Sequence, residues 1–270
     1  MAFSSSSPNR RAIMKSVALP SEHGGWGFLL EPILLGLLVA GTINGVLLAL
    51  AAFSAFLIHQ PFKVAIKDRL KGRRPPRTVW AERFTVGYGL AAGALLLVVA
   101  LNADRTFFIP LLMALPLLLI QVYFDARNQS RELLPEIGGA LALGSIAPAI
   151  ALLGGWTLEA ALVLWVLLAC RSVPSILYVR ERLKLEHDKP ISPYPSLVAH
   201  IAAVVVSILL AVSDAAPWLA VLVCGLLLVR SVVGLSRFRK PRQAKHIGMM
   251  EMGYGLVTVI LIALGYGRGW

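Results

Sequence analysis

From one end to the other, the chain alternates long apolar runs with short polar connections, and that alternation limits the solvent it can fold in. A run of about 18 or more apolar residues is long enough to cross a bilayer as a helix. Backbone in hydrocarbon must satisfy its own hydrogen bonds, so such runs are read as helices. Of the 270 residues, 57% are hydrophobic and 15% charged, and the mean hydropathy is +0.75. A soluble domain of this size would be far more polar. The expected fold class is all-α: a polytopic transmembrane helical bundle. Nine spans are read at roughly 24–41, 45–65, 84–101, 107–124, 134–153, 158–178, 196–212, 217–235 and 249–267. Residues 1–20 read as a disordered cytoplasmic segment and 21–270 as one transmembrane domain.

The net charge of +12 resembles a nucleic-acid signal until the charges are located. They fall in alternate connections, which is the positive-inside pattern and not a nucleic-acid footprint. The connections after spans two, four, six and eight are basic. The others, marked by Thr42-Ile43-Asn44-Gly45, Asn102-Ala103-Asp104, Gly154-Gly155 and Ser213-Asp214, carry almost no positive charge. Only Arg105 and Arg268 fall on that second side, and Arg10, Arg11 and Lys15 precede the first span. This predicts a multi-pass protein of the cell membrane with a cytoplasmic amino terminus and an external carboxyl terminus. Cys170 and Cys224 lie in apolar runs and read as small buried hydrophobes.

Polar side chains inside apolar helices are costly, so they are candidate sites. His59, Lys63 and Lys67 share one helical face, with Gln60 beside them and Asp68 following. In span six, Arg171, Ser175, Tyr178 and Arg182 form a stripe. Arg171 is either a structural ion-pair member or part of a ligand site. Glu31 lies inside span one, Glu22 and His23 at its entrance, Glu136 at the start of span five, and His246 and Glu251 near span nine. Their spacing matches no defined metal motif. His200 reads as a packing or capping histidine. Glu31, His59, Lys63, Arg171 and Tyr178 are expected to face one shared cavity on the cytoplasmic half.

The opening LPSEHGGWGFLLEPILLG resembles the start of the YwiC-like family of bacterial integral membrane proteins. The layout of nine helices, with long connections after the second and sixth, is similar to that of the UbiA superfamily of intramembrane prenyltransferases. Residues 123–154, from Tyr123 through the glycines at 138 and 139, look like that superfamily's passage from the fourth span into the fifth. The resemblance implies a UbiA-like bundle in a bacterial inner membrane, an isoprenoid or other anionic lipid-like ligand, and Mg²⁺ bound by an aspartate-rich motif in each long connection. The chain departs from that pattern. At the first motif it has His59, Gln60, Lys63, Lys67 and Asp68; at the second it has Tyr178, Arg180, Glu181, Arg182, Glu186, His187 and Asp188. Magnesium takes oxygen ligands, whereas lysine contacts phosphate as a point charge.

Three functions stay open on this reading. One is a divergent prenyl or lipid transferase with Asp68, Glu181 and Asp188 as catalytic metal ligands. Its substrate would be held by Glu31, His59, Gln60, Lys63, Lys67, Arg171, Tyr178 and Arg182. The second is a non-enzymatic lipid- or isoprenoid-binding protein on the same scaffold. The third is a small-anion transporter.

Overall fold

In the computed structural model, residues 14, 17–19, 23–127 and 129–267 are described. Glu22, Arg10, Arg11, Lys15, Arg268 and the side chain of His23 lie outside them, as does most of 1–20. The described residues form α1 (His23–Ala40), α2 (Ile43–Leu70), α3 (Pro76–Asn102), α4 (Phe108–Ala126), α5 (Leu133–Gly144), α6 (Ile146–Leu153), α7 (Leu158–Leu185), α8 (Tyr194–Val212), α9 (Trp218–Leu235) and α10 (Ala244–Gly267). A short 3₁₀ turn, Arg105–Phe107, leads into α4.

α5 and α6 are two parts of one span, Leu133–Leu153, interrupted where the Ser145 hydroxyl donates to the Ala142 carbonyl at 2.7 Å. Eight segments among the described residues are long and apolar enough to cross a membrane, and the shorter apolar stretch Gly25–Ala40 of α1 accompanies them. The protein is therefore a multi-pass helical membrane protein.

Helix starts follow local capping chemistry. The Thr42 hydroxyl accepts from the Gly45 amide at 3.0 Å, and the Thr157 hydroxyl accepts from the Ala160 amide at 3.3 Å. Pro76 opens α3, where a missing N–H costs nothing. Gly155, with φ +85°, carries the tight turn between α6 and α7.

Three helices outrun their apolar cores. α2 continues to Leu70, α3 begins at Pro76 and α7 reaches Leu185, each several residues beyond its hydropathic limit. The added turns are charged: Lys67 and Arg69 end α2, and Arg182 and Lys184 end α7, where cations favour the negative helix end.

The core is built on α1, α6 and α7. Leu35, Ala147, Ala151, Leu164 and Leu167 pack with Val259 and Ile262 in one cluster. Leu29, Ile33, Leu48, Ile146 and Ile150 pack with Val99 and Phe107 in another. Small residues let backbones approach: a Cβ on Gly36 would stand 2.9 Å from that of Ile150. The α5–α6 span is 56% buried within the protein, while α3, at 6%, leaves the most surface outside the bundle.

Candidate functional site

A charged network lies buried where α1, α7, α9 and α10 meet. The Arg171 guanidinium on α7 donates to Glu31 Oε1 on α1 at 3.1 Å and to the Glu251 carbonyl on α10 at 2.8 Å. The Arg230 guanidinium on α9 donates to both carboxylate oxygens of Glu251 at 2.5 Å. It lies 4.2 Å from the Tyr178 ring centroid and 5.2 Å from that of Tyr254. Two cations face two carboxylates, so the cluster is neutral as a whole, which makes its burial tolerable.

His200 completes the network from α8. Its Nδ1 lies 2.7 Å from the Ser196 carbonyl, which can only accept, so Nδ1 carries the proton. Nε2 is then free to accept from Arg230, 3.2 Å away. The histidine expected merely to pack or cap thus orients Arg230. A Cβ added at Gly255 would collide with the Glu31 carboxylate, so only glycine lets α10 come this close to the pair. Arg230 was not singled out from the sequence, although an arginine in the middle of an apolar run is the signal that drew attention to Arg171.

A first cleft opens between α2 and α4. His59 Nε2 lies 2.5 Å from Asp125 Oδ2, and the Lys63 ammonium donates to Asp125 Oδ1 at 3.2 Å and to the Ser130 hydroxyl at 2.9 Å. Lys67 and Lys71 line the same cleft, of about 140 Å³, with Phe62 and Ile66. His59, Lys63 and Lys67 therefore descend one helical face at intervals of four residues, and Lys71 follows at the cap of α2. Asp125 is the one acid in the lining, and His59 and Lys63 already hold it. Asp125 and Lys71 were missed: the first sits across the cleft on α4, the second in the connection beyond the apolar run. Gln60 is half-buried on α2 and outside the lining.

A second cleft lies between the ends of α7, α9 and α10 and contains Tyr178, Arg182 and Arg230. Arg182 donates to the carbonyls of Gly234 and Lys240, the latter at 2.6 Å, and pairs with Glu186 at 2.8 Å. The expected single cavity is thus two clefts, with Glu31 and Arg171 in the buried network. Arg230 and Glu251 of that network also line the second cleft, whereas no residue of the network lines the first.

The three carboxylates proposed as magnesium ligands are also apart. Both oxygens of Asp68 are engaged, by Arg77 at 2.6 and 3.0 Å and by the Thr78 hydroxyl at 2.7 Å, so Asp68 ties α2 to α3. Glu181 accepts from the Lys184 ammonium at 2.7 Å and the Ser192 amide at 3.2 Å. Asp188 is exposed in a turn with φ 53°. Among the described residues, no group of three His, Cys, Asp or Glu side chains is placed to hold a metal ion. As arranged, these residues do not fit a magnesium–diphosphate site. Both cysteines are free thiols.

Comparison with known proteins gives one resemblance in sequence and one in fold. Residues 19–151 match a family described as YwiC-like protein. A relative from Bacillus subtilis (strain 168), an uncharacterized protein YwiC, is 30% identical over 142 residues, which is 52% of this chain and 56% of the relative. The match thus spans little more than half the length of that curated relative. The resemblance to the YwiC-like family covers α1 to α6, including Glu31 and the α2–α4 cleft. A solved structure of digeranylgeranylglyceryl phosphate synthase superposes with a TM-score of 0.55 at 14% identity, covering 95% of this chain and 96% of the other. At that identity the likeness concerns the fold, which is UbiA-like.

Proposed function

We propose that this protein binds a prenyl or related lipid phosphate within a divergent UbiA-like scaffold, with the phosphate held directly by lysine ammoniums at the α2–α4 cleft. The observation that carries this reading is the row of Lys63 and Lys67 on one face of α2 and Lys71 just past its end, opposite a single carboxylate that is already neutralised. Lys67 and Lys71 have no ion-pair partner among the described residues and are exposed at the cleft. Ammonium groups on flexible stems contact phosphate oxygens as point charges and need no metal bridge. Phe62, Ile66, Leu70 and Val122 give the same cleft an apolar wall for a hydrocarbon chain.

The enzymatic form of this reading is transfer of an allylic chain. The bond between the allylic carbon and the diphosphate oxygen breaks, and the oxygen keeps the electron pair. Lysine charge stabilises the departing diphosphate, and an acceptor nucleophile takes the carbon. The non-enzymatic form ends at binding. It is favoured by Asp68 and Asp125, whose oxygens are engaged by cations and hydroxyls within the protein. In either form we place the basic helix ends, and hence both clefts, on the cytoplasmic side.

Native mass spectrometry of protein released from mild detergent tests the proposal. A co-purifying isoprenoid or lipid phosphate, with fewer copies bound after Lys63→Ala/Lys67→Ala substitution, is the expected result. A retained neutral lipid, unaffected by the substitution, would overturn it.

A further inference from the structure

The second cleft carries chemistry that the α2–α4 site does not absorb. It has a volume of about 240 Å³, and its charged lining is five cations, Arg182, Arg230, Arg239, Lys240 and Arg242, against the one acid Glu251. Three of the cations have work within the protein. Arg230 holds Glu251, Arg182 pins the α9–α10 connection through carbonyls, and Arg239 donates to the Leu185 carbonyl at 3.3 Å. Lys240 and Arg242 remain exposed at the rim, with no ion pair among the described residues. At the base, Arg230 is 92% buried, yet its Nε has no hydrogen-bond partner.

The walls specify the rest of the ligand. Val233, Ile247 and Met250 line the cleft. Val229 and Val233 on α9 are 60% and 48% exposed, so the apolar wall continues onto the lipid-facing surface. At about 240 Å³ the space is smaller than the ~300–1,000 Å³ that encloses a whole drug-sized ligand. It suits a head group whose tail lies in the bilayer. Glu251 at the base disfavours a second negative charge deeper in the cleft, so the phosphate belongs at the rim.

We infer that the α7–α9–α10 cleft is a second binding site, for an amphiphile with a phosphate head. Lys240 and Arg242 contact its oxygens, and its hydrocarbon lies along α9. An isoprenoid monophosphate and a phosphatidylglycerol share this chemistry, and the experiment separates them.

The test counts bound ligands by native mass spectrometry in neutral detergent, using farnesyl monophosphate, dihexanoyl phosphatidylglycerol and inorganic phosphate as probes. Wild type, Lys240→Ala/Arg242→Ala and Lys63→Ala/Lys67→Ala are compared. Both residues of the first pair are exposed, so that variant keeps the fold, checked by an unchanged Tm. At least one of the two amphiphiles is expected to occupy the second cleft of wild type, and the one that does identifies the source. Its occupancy falls at least tenfold in Lys240→Ala/Arg242→Ala and persists in Lys63→Ala/Lys67→Ala, while inorganic phosphate binds at least tenfold more weakly. Undiminished binding in Lys240→Ala/Arg242→Ala would overturn the inference, leaving the α2–α4 proposal intact. So would inorganic phosphate binding as tightly as the amphiphile. Binding lost only with Lys63 and Lys67 would assign all ligand to the first cleft and also overturn it.

Discussion

Arg230 and Glu251 illustrate how one buried pair governs its neighbours. Both carboxylate oxygens of Glu251 lie 2.5 Å from Arg230, and the Glu251 carbonyl accepts from Arg171. Removing one partner of such a pair leaves an uncompensated charge, with a cost of about 3–5 kcal/mol. Arg230→Met is therefore expected to destabilise the protein by that amount, read as a lowered Tm in detergent. The double change Arg230→Met/Glu251→Met is expected to recover much of the loss, because replacing a whole buried pair with apolar groups is often neutral. A double variant as unstable as the single one would show that the pair is not what the network depends on. Arg171 was legible in the sequence as a charge that could not face lipid, and its pairing with Glu31 follows from that cost. Which acid it would meet was not legible, since 140 positions separate the two residues. Arg230 carries the same signal in the apolar run of α9, but the charged connections that mark the other basic residues give no hint of it.

At the scale of elements, the spans were legible because the bilayer enforces length and hydropathy together. Helix ends were less so: Asp68, Arg69 and Lys184 look like connection residues, yet all are helical, since a charged turn outside hydrocarbon costs nothing and can be capped locally. Asp68 shows the consequence. From the sequence it reads as a metal ligand; in the fold both its oxygens bind Arg77 and Thr78 at the start of α3. Asp68→Asn keeps the shape but weakens these charge-assisted bonds. A loss of about 1 kcal/mol is expected, discounted because Arg77 is largely exposed, with faster hydrogen exchange at the α2–α3 turn. Ligand affinity at the α2–α4 cleft is expected to stay unchanged. A selective loss of magnesium-dependent binding, with exchange unaltered, would restore the metal role.

Over the whole molecule, we propose that α1 crosses the membrane with the eight longer segments and that the alternating charge sets the termini on opposite faces. A reporter fused after residue 267 is expected to read as external, and one placed in the connection between α2 and α3 as cytoplasmic. A cytoplasmic carboxyl-terminal reporter would break the topology. The bundle was legible as a UbiA-like layout, while the two clefts were not, because the residues that line them come from helices distant in sequence. The central claim is that phosphate is held by lysine and not through metal. It is tested most directly by titrating farnesyl diphosphate into the protein in nanodiscs, with and without magnesium, for wild type and Lys63→Ala/Lys67→Ala. The account predicts the same Kd with and without magnesium for wild type, and a Kd at least tenfold weaker for the variant. Binding that requires magnesium and is undisturbed by loss of the two lysines would contradict it.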